Sequence, residues 1–195
     1  MMVIRVARLM PLLLLLIATG CAAPEKRVDL IYQGFVHAAG GSGRLFVAEP
    51  VMKENLAARV SDAQIIGKAE GADVVVEGKP ANWLLSALVK ELSAAGYDVK
   101  TVPALPPDVS KGVEATFVAL SANQSAGVFK VTTVTEIKLE ARLWKDGETI
   151  TTLTAEARDH EEGTDRSSEQ IRSVLEKTLQ RAMQELVPDI IKNLE

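Results

Sequence analysis

Cysteine is almost missing from this chain: Cys21 stands alone among 195 residues. A lone cysteine excludes any disulfide within the chain. Histidine is nearly as scarce, with His37 and His160 only, and a metal site usually needs more than one His, or a Cys, at fixed spacing. An excess of positive charge is also lacking. Twenty-six acidic residues outnumber 22 basic ones, for a net charge of −4. That balance leaves no electrostatic footprint for nucleic acid and no general attraction to anionic headgroups. No serine sits in a Gly-x-Ser-x-Gly elbow. Gly40-Gly41-Ser42-Gly43-Arg44 is glycine-rich but lacks the Lys-Ser/Thr ending of a phosphate loop. Long apolar runs are missing too: Leu9–Ala18 is shorter than the roughly 20 residues a membrane span needs.

That short run is the most informative stretch present. Arg5 and Arg8 precede it, and Ala18, Thr19 and Gly20 lead from it directly into Cys21. This is the layout of a secretory signal. With the cysteine in that place it resembles the lipobox of bacterial lipoproteins, although Ala18 stands where the pattern prefers Leu. The resemblance implies acylation of Cys21 and cleavage before it. Removal of residues 1–20 from the 195 leaves 175, enough for one domain with a sizeable core. Losing Arg5 and Arg8 takes the charge from −4 to −6. Ala22, rather than Asp, follows the cysteine, which under the sorting rule of proteobacterial lipoproteins implies the outer membrane.

The chain then divides into a short tether with a possible first strand over 21–43 and a single domain over 44–195. Ala22–Arg27 reads as the tether, and Val28–Tyr32 alternates like a strand. Arg44–Ala48 is a better one. Met52–Asp62 is polar and its structure is left open. Gln64–Lys68 and Asp73–Glu77 flank Gly71 as a hairpin. Pro80 suits the first position of a helix whose face is Leu84, Leu85, Leu88, Val89 and Leu92. Gly96 ends it and Tyr97 packs back. Asp98–Val102 is the next strand, and Pro103, Pro106 and Pro107 make a stiff connector. Val113–Ser121 follows.

Val131–Trp144 alternates strictly, so its odd positions face a core and its even ones face water. Thr149–Asp159 alternates likewise. A two-residue Asp146-Gly147 turn sets apolar residues of one strand against polar residues of the other. A three-residue loop, Lys145-Asp146-Gly147, pairs Leu139 with Leu153 and is the expected turn. It also opposes Glu136 and Glu156. A long helix ends the chain, capped by Ser167 and Gln170. Its stripe runs from Ile171 to Leu194 and fits burial against the sheet, while Pro188 kinks or restarts it. A coiled-coil seam or a membrane-surface face uses the same pattern. The architecture expected is α+β: a twisted, mainly antiparallel sheet with two helices packed on one face.

The run Pro80-Ala81-Asn82-Trp83-Leu84-Leu85-Ser86-Ala87-Leu88, with Glu91-Leu92 and Ala95-Gly96-Tyr97-Asp98-Val99, resembles the YajG-like lipoproteins. Their order of short strands, helix ending in Gly-Tyr, long hairpin and amphipathic helix agrees over most of the chain. Where that family often carries Asp and Arg after its early strand, this chain has Ala48-Glu49-Pro50. The resemblance implies an outer-membrane lipoprotein with no established activity.

Asp159-His160-Glu161-Glu162 reads as a solvated acidic loop beyond a strand end rather than a metal site. Trp83 reads as core. Trp144 falls on the wet side of its strand and is the better candidate for partner contact. These observations suggest a protein without catalytic activity or cofactor. They place it at the periplasmic side of the outer membrane through a lipid anchor on Cys21, in contact with an envelope protein and not with nucleic acid. The alternative is an auxiliary lipoprotein of an ABC-type lipid or solute transport system.

Overall fold

The computed structural model describes residues 25–53, 58–60 and 63–195. Cys21 and the expected signal lie outside them. The strands are β1 (Glu25–Val28), β2 (Arg44–Ala48), β3 (Val51–Met52), β4 (Ala58–Val60), β5 (Ala63–Ala69), β6 (Ala72–Val76), β7 (Asp98–Val102), β8 (Lys111–Ala126), β9 (Val131–Lys145) and β10 (Glu148–Gly163). The helices are α1 (Pro80–Ala94) and α2 (Ser168–Leu194). All ten strands join one open sheet, and both helices contribute to a single core on one of its faces. The α+β expectation holds. The first strand differs: it is Glu25–Val28, which takes the last three residues of the expected tether and only Val28 of the expected Val28–Tyr32 strand, and it pairs in parallel with β6.

The spine is an antiparallel meander, β8-β9-β10. The other edge of β8 is shared. Near its start it pairs with β2 at Gly112 and Val113, then with β3 at Thr116 and Phe117. Near its end Gln124 meets Ala69 of β5. β2 carries β7 outward at one end, while β5 carries β6 and β1 at the other. Gly67 allows β5 to come this close, since a Cβ there meets the Ala122 carbonyl oxygen at 1.8 Å.

Val131, Thr133, Thr135, Ile137, Leu139, Ala141 and Leu143 are all buried, as the alternation of β9 requires. The expected three-residue loop is not found. Asp146 and Gly147 have φ of 52° and 80° and form a two-residue turn between Lys145 and Glu148, with the two positive φ angles of a type I′ turn. Parity is restored instead by a bulge: the register shifts between Thr149 and Thr151, leaving Ile150 as the extra residue. Leu139 therefore faces Ala155, not Leu153. The feared Glu136–Glu156 opposition disappears, because Lys138 faces Glu156 and pairs with it at 3.0 Å. A second bulge at Val118 switches the inward row of β8 from Val113, Ala115 and Phe117 to Leu120, Ala122 and Gln124.

Helix α1 begins at Pro80 and closes as expected. Tyr97 N–H donates to the Leu92 carbonyl at 3.2 Å and Gly96 N–H to that of Ser93 at 3.1 Å, with Gly96 at φ 115°. This is the two-bond Schellman closure. Helix α2 starts at Ser167, whose Oγ accepts from the Gln170 N–H at 3.3 Å. Its whole apolar stripe is buried through Ile190, Ile191 and Leu194. Pro188 neither breaks nor restarts the helix, which runs continuously through it. The proline lies on the exposed side, where water can satisfy the carbonyl it leaves unpaired.

Between β1 and β2 the chain runs over α1 as a strap, held by one buried carboxylate. Glu91 is 1% exposed and accepts from the Tyr32 hydroxyl and the Val36 N–H, each at 2.7 Å. Burial, and then the bond to Glu91, push the Tyr32 hydroxyl far above the ordinary phenol range. The strap ends on the carboxylate of Glu195, which takes Ser42 Oγ at 2.8 Å and Lys111 Nζ at 2.7 Å. Lys111 first, and Ser42 next, hold that carboxyl down at about 2.

Two outcomes test this arrangement. In a Cys21→Ser background, Lys138→Cys with Glu156→Cys should form a disulfide in mild oxidant. Glu136→Cys with Glu156→Cys should not, being a diagonal pair about 7–8 Å apart. Glu91→Ala leaves two buried donors unpaired, at about 1–3 kcal/mol each. It should lower the denaturation midpoint and open residues 29–43 to limited proteolysis, whereas Glu77→Ala on the surface should do neither.

Candidate functional site

The even-numbered residues of β9 face away from the helices and are not covered by either. Near the β9–β10 turn this outer face carries a cleft of about 300 Å³. Its walls include Glu49 and Val51 after β2, Pro103 after β7, Glu114 of β8, and Glu140 and Arg142 of β9. The proline-rich connector stands at its rim, leaving edge strand β7 after Val102. Trp144 is fastened to one wall: its Nε1 donates to Glu114 Oε2 at 3.0 Å, and Arg142 Nη1 reaches the same oxygen at 3.3 Å. Lys53 pairs with Glu140 at 3.5 Å. Of the three carboxylates lining this polar cleft, Glu114 is thus paired with Arg142 and Glu140 with Lys53. Such a surface suits a basic, hydrogen-bonding partner better than an apolar ligand.

Trp144, the sequence candidate, is half-buried beside this cleft. Trp83 is 3% exposed and stacks on Phe117 with ring centroids 6.5 Å apart, so it is core. It also backs a second cleft of about 350 Å³, between the strap at Ile31 and the start of α1 at Lys79 and Asn82.

The acidic tetrad is not a loop. Residues 159–162 belong to β10, so their side chains alternate between two faces. Asp159 pairs with Arg181 at 3.1 Å and Glu161 with Lys177 at 2.5 Å, both on α2, while Glu162 pairs with Lys130 at 2.7 Å. Each carboxylate already has a cation, and opposite faces cannot converge on one ion. Among the described residues no group of three His, Cys, Asp or Glu is placed to hold a metal. His37 is exposed, edge-on to Phe35 at 4.8 Å.

The tip of the β8–β9 hairpin lies outside the candidates expected from sequence. The β8–β9 hairpin ends in a tip closed by the Gly127 N–H donating to the Lys130 carbonyl at 2.7 Å. Between them Val128 and Phe129 are 86% and 91% exposed. The signal was there: two adjacent apolar residues inside a short turn, where polar ones are usual.

Glu114→Ala removes the acceptor of Trp144. The Trp144 indole N–H should then exchange faster with solvent by NMR while that of Trp83 keeps its rate. The stability loss should stay below about 1 kcal/mol, as for an exposed pair. An unchanged Trp144 rate shows that the indole is not held there in solution.

Comparison with known proteins places the chain. A family model described as uncharacterized lipoprotein matches residues 58–190. No curated protein sequence matches. The crystal structure of protein XCC0632 from Xanthomonas campestris, of the family DUF330, superposes with a TM-score of 0.61 at 12% identity, covering 86% of this chain and 95% of that one. At that identity the likeness is one of fold. Lipoprotein GNA1162 from Neisseria meningitidis gives a TM-score of 0.37 at 14% identity, over 71% of this chain and 96% of its own, and carries no argument. The match extends from β4 to the last turns of α2, beyond the helix and Gly-Tyr closure that suggested it, and the chain belongs to this family of uncharacterized, YajG-like lipoproteins.

Proposed function

We propose that residues 1–20 are removed, that Cys21 is acylated, and that the protein is held at the outer membrane facing the periplasm. There it acts through protein contacts in envelope assembly or maintenance, without catalysis. The observation that carries this reading is the pairing of a lipoprotein family match over residues 58–190 with the Leu9–Cys21 stretch ahead of it. No described helix is long and apolar enough to cross a membrane, so attachment through the cysteine answers a need the described helices do not. A single acyl chain binds only marginally, and several hold a protein durably.

The outer cleft beside Trp144 is the proposed contact surface. It lies at the opposite end of the sheet from the point where the chain enters the fold. Trp144 pairs with Gly112 of β8, while Lys26 Nζ reaches Gln124 Oε1 at 2.7 Å. Those two levels of β8 are about twelve residues, or roughly 40 Å, apart. A partner could therefore approach without meeting the bilayer.

Mass analysis of the protein from native envelopes should show Cys21 as the first residue, carrying acyl chains. A photo-crosslinking side chain in place of Trp144 should then capture a specific envelope protein. Uncleaved or unacylated protein refutes the anchor, and acylated protein with no specific adduct refutes the contact surface. Recovery of a transporter component, or of co-purified lipid, shifts the reading to an auxiliary subunit of an ABC-type system.

A further inference from the structure

We propose that the Val128–Phe129 tip of the β8–β9 hairpin is a second membrane contact, seated in the boundary between headgroups and acyl chains next to the anchor. The inference rests on the acylation of Cys21 proposed above and adds an orientation to it.

β5 runs parallel to β8 and meets it where Ala69 faces Gln124. β6 runs back from there, with Ala72 opposite Ala69. β1 runs parallel to β6, with Glu25 opposite Asp73. The first residue of β1 therefore lies at the same end of the sheet as the last residues of β8. Lys26 confirms the placement, bonding Gln124 at 2.7 Å and the Arg166 carbonyl, just before α2, at 2.6 Å. Glu25 sits about one residue short of the Gln124 level. The tip begins past Ala126, so it projects about three residues, roughly 10 Å, beyond Glu25 before its own turn is counted. Four peptide steps separate Glu25 from Cys21, and they span at most about 14 Å. An acylated Cys21 at the bilayer surface thus holds this end of the sheet within a tip's length of the lipid.

The chemistry at this end selects an apolar contact. Lys130 pairs with Glu162 at 2.7 Å, Arg166 with Glu70 at 3.3 Å, and Lys68 with Asp73. Lys26 is taken up by Gln124 and the Arg166 carbonyl, so among the described residues no unpartnered cation cluster stands there to hold anionic headgroups. Val128 and Phe129 are the two most exposed large apolar side chains among the described residues, and they are adjacent. Two such side chains are too few to bind a membrane durably alone. Beside an anchor they need only orient what is already bound.

Acylation occupies the Cys21 thiol, so Val128→Cys offers a single site for a polarity-sensitive fluorophore. Glu148→Cys, at the opposite end of the sheet, is the control. The acylated variants are reconstituted in phosphatidylethanolamine–phosphatidylglycerol vesicles. The Val128 label should shift to the blue and be quenched by lipids brominated near the headgroup, while the Glu148 label should do neither. A water-like Val128 label on protein shown by mass to be acylated overturns the proposal. Shielding that appears without vesicles and rises with protein concentration also overturns it, in favour of a second copy as the occupant. If native Cys21 proves unacylated, the anchor reading has failed separately. The tip is then tested on residues 21–195 joined through Cys21 to a maleimide lipid, with the label carried on an unnatural side chain at position 128. A blue shift there supports the tip as a membrane contact, and its absence refutes it.

Discussion

The row of odd-numbered side chains along β9 must stay dry over its whole length, and the rest of the molecule is arranged to keep it so. Seven residues from Val131 to Leu143 make up that row, and all are buried. On one side lies β8, on the other β10, and above them lies the stripe of α2. At about 1.5 Å per residue the 27-residue helix is roughly 40 Å long, which matches a strand of about twelve to thirteen residues. Long strands drift and twist, and each neighbour must correct its register to keep the apolar row facing the helix. Both corrections are bulges, at Val118 in β8 and at Ile150 in β10. A bulge costs a ladder position. A misplaced row costs the burial of several apolar side chains, about 1.5–3 kcal/mol each, so the bulge wins.

The row also shows how the core ends. Toward the hairpin tip its apolar residues give way to Thr135 and Thr133. Thr135 Oγ1 meets Thr178 Oγ1 of α2 at 2.5 Å, and Thr133 Oγ1 accepts from Gln124 Nε2 at 3.1 Å. Gln124 Nε2 also reaches Gln170 Oε1 at 3.4 Å, and Gln124 Oε1 takes Lys26. A buried polar layer is tolerable when its members find partners. This one draws its last partner from β1, so closing the core also fixes where the N-terminal strand docks.

Elements whose cause is local were legible in the sequence. Helix α1 announced both ends through Pro80 and Gly96, α2 through Ser167 and an unbroken stripe, and β9 through its alternation. Elements whose cause is non-local were not legible. Glu25-Lys26-Arg27-Val28 has no apolar alternation and becomes a strand because β6 offers an edge. The parity argument at the β9–β10 turn was sound, since odd residues do face odd residues. It could not say which residue is the extra one. A loop residue and a bulged Ile150 satisfy parity equally, and they differ by two places in register. The charges at 159–162 suggest a solvated loop, yet α2 supplies Arg181 and Lys177 to one side of this stretch of β10. For the candidate site, Trp144 was visible from its place in the alternation. The cleft beside it was not, because its walls come from β2, β7, β8 and β9 and meet only in the fold.

The two ends of the sheet differ in kind. The end that receives β1 carries paired charges, a polar core closure and an apolar tip. The other end carries the proline-stiffened connector, the acid-lined cleft and the Trp144 indole. The β8–β9–β10 spine joins them as a continuous ladder, so tilting one end tilts the other. On the proposed anchor, a globule held through Cys21 alone is free to swivel, and any partner must then take up that orientational freedom as a cost of binding. The tip contact proposed at that end would remove the freedom beforehand and raise the effective concentration of the far cleft for a partner fixed in the envelope. On that proposal, two adjacent apolar side chains, Val128 and Phe129, at one end of the spine set the presentation of a polar surface at the other.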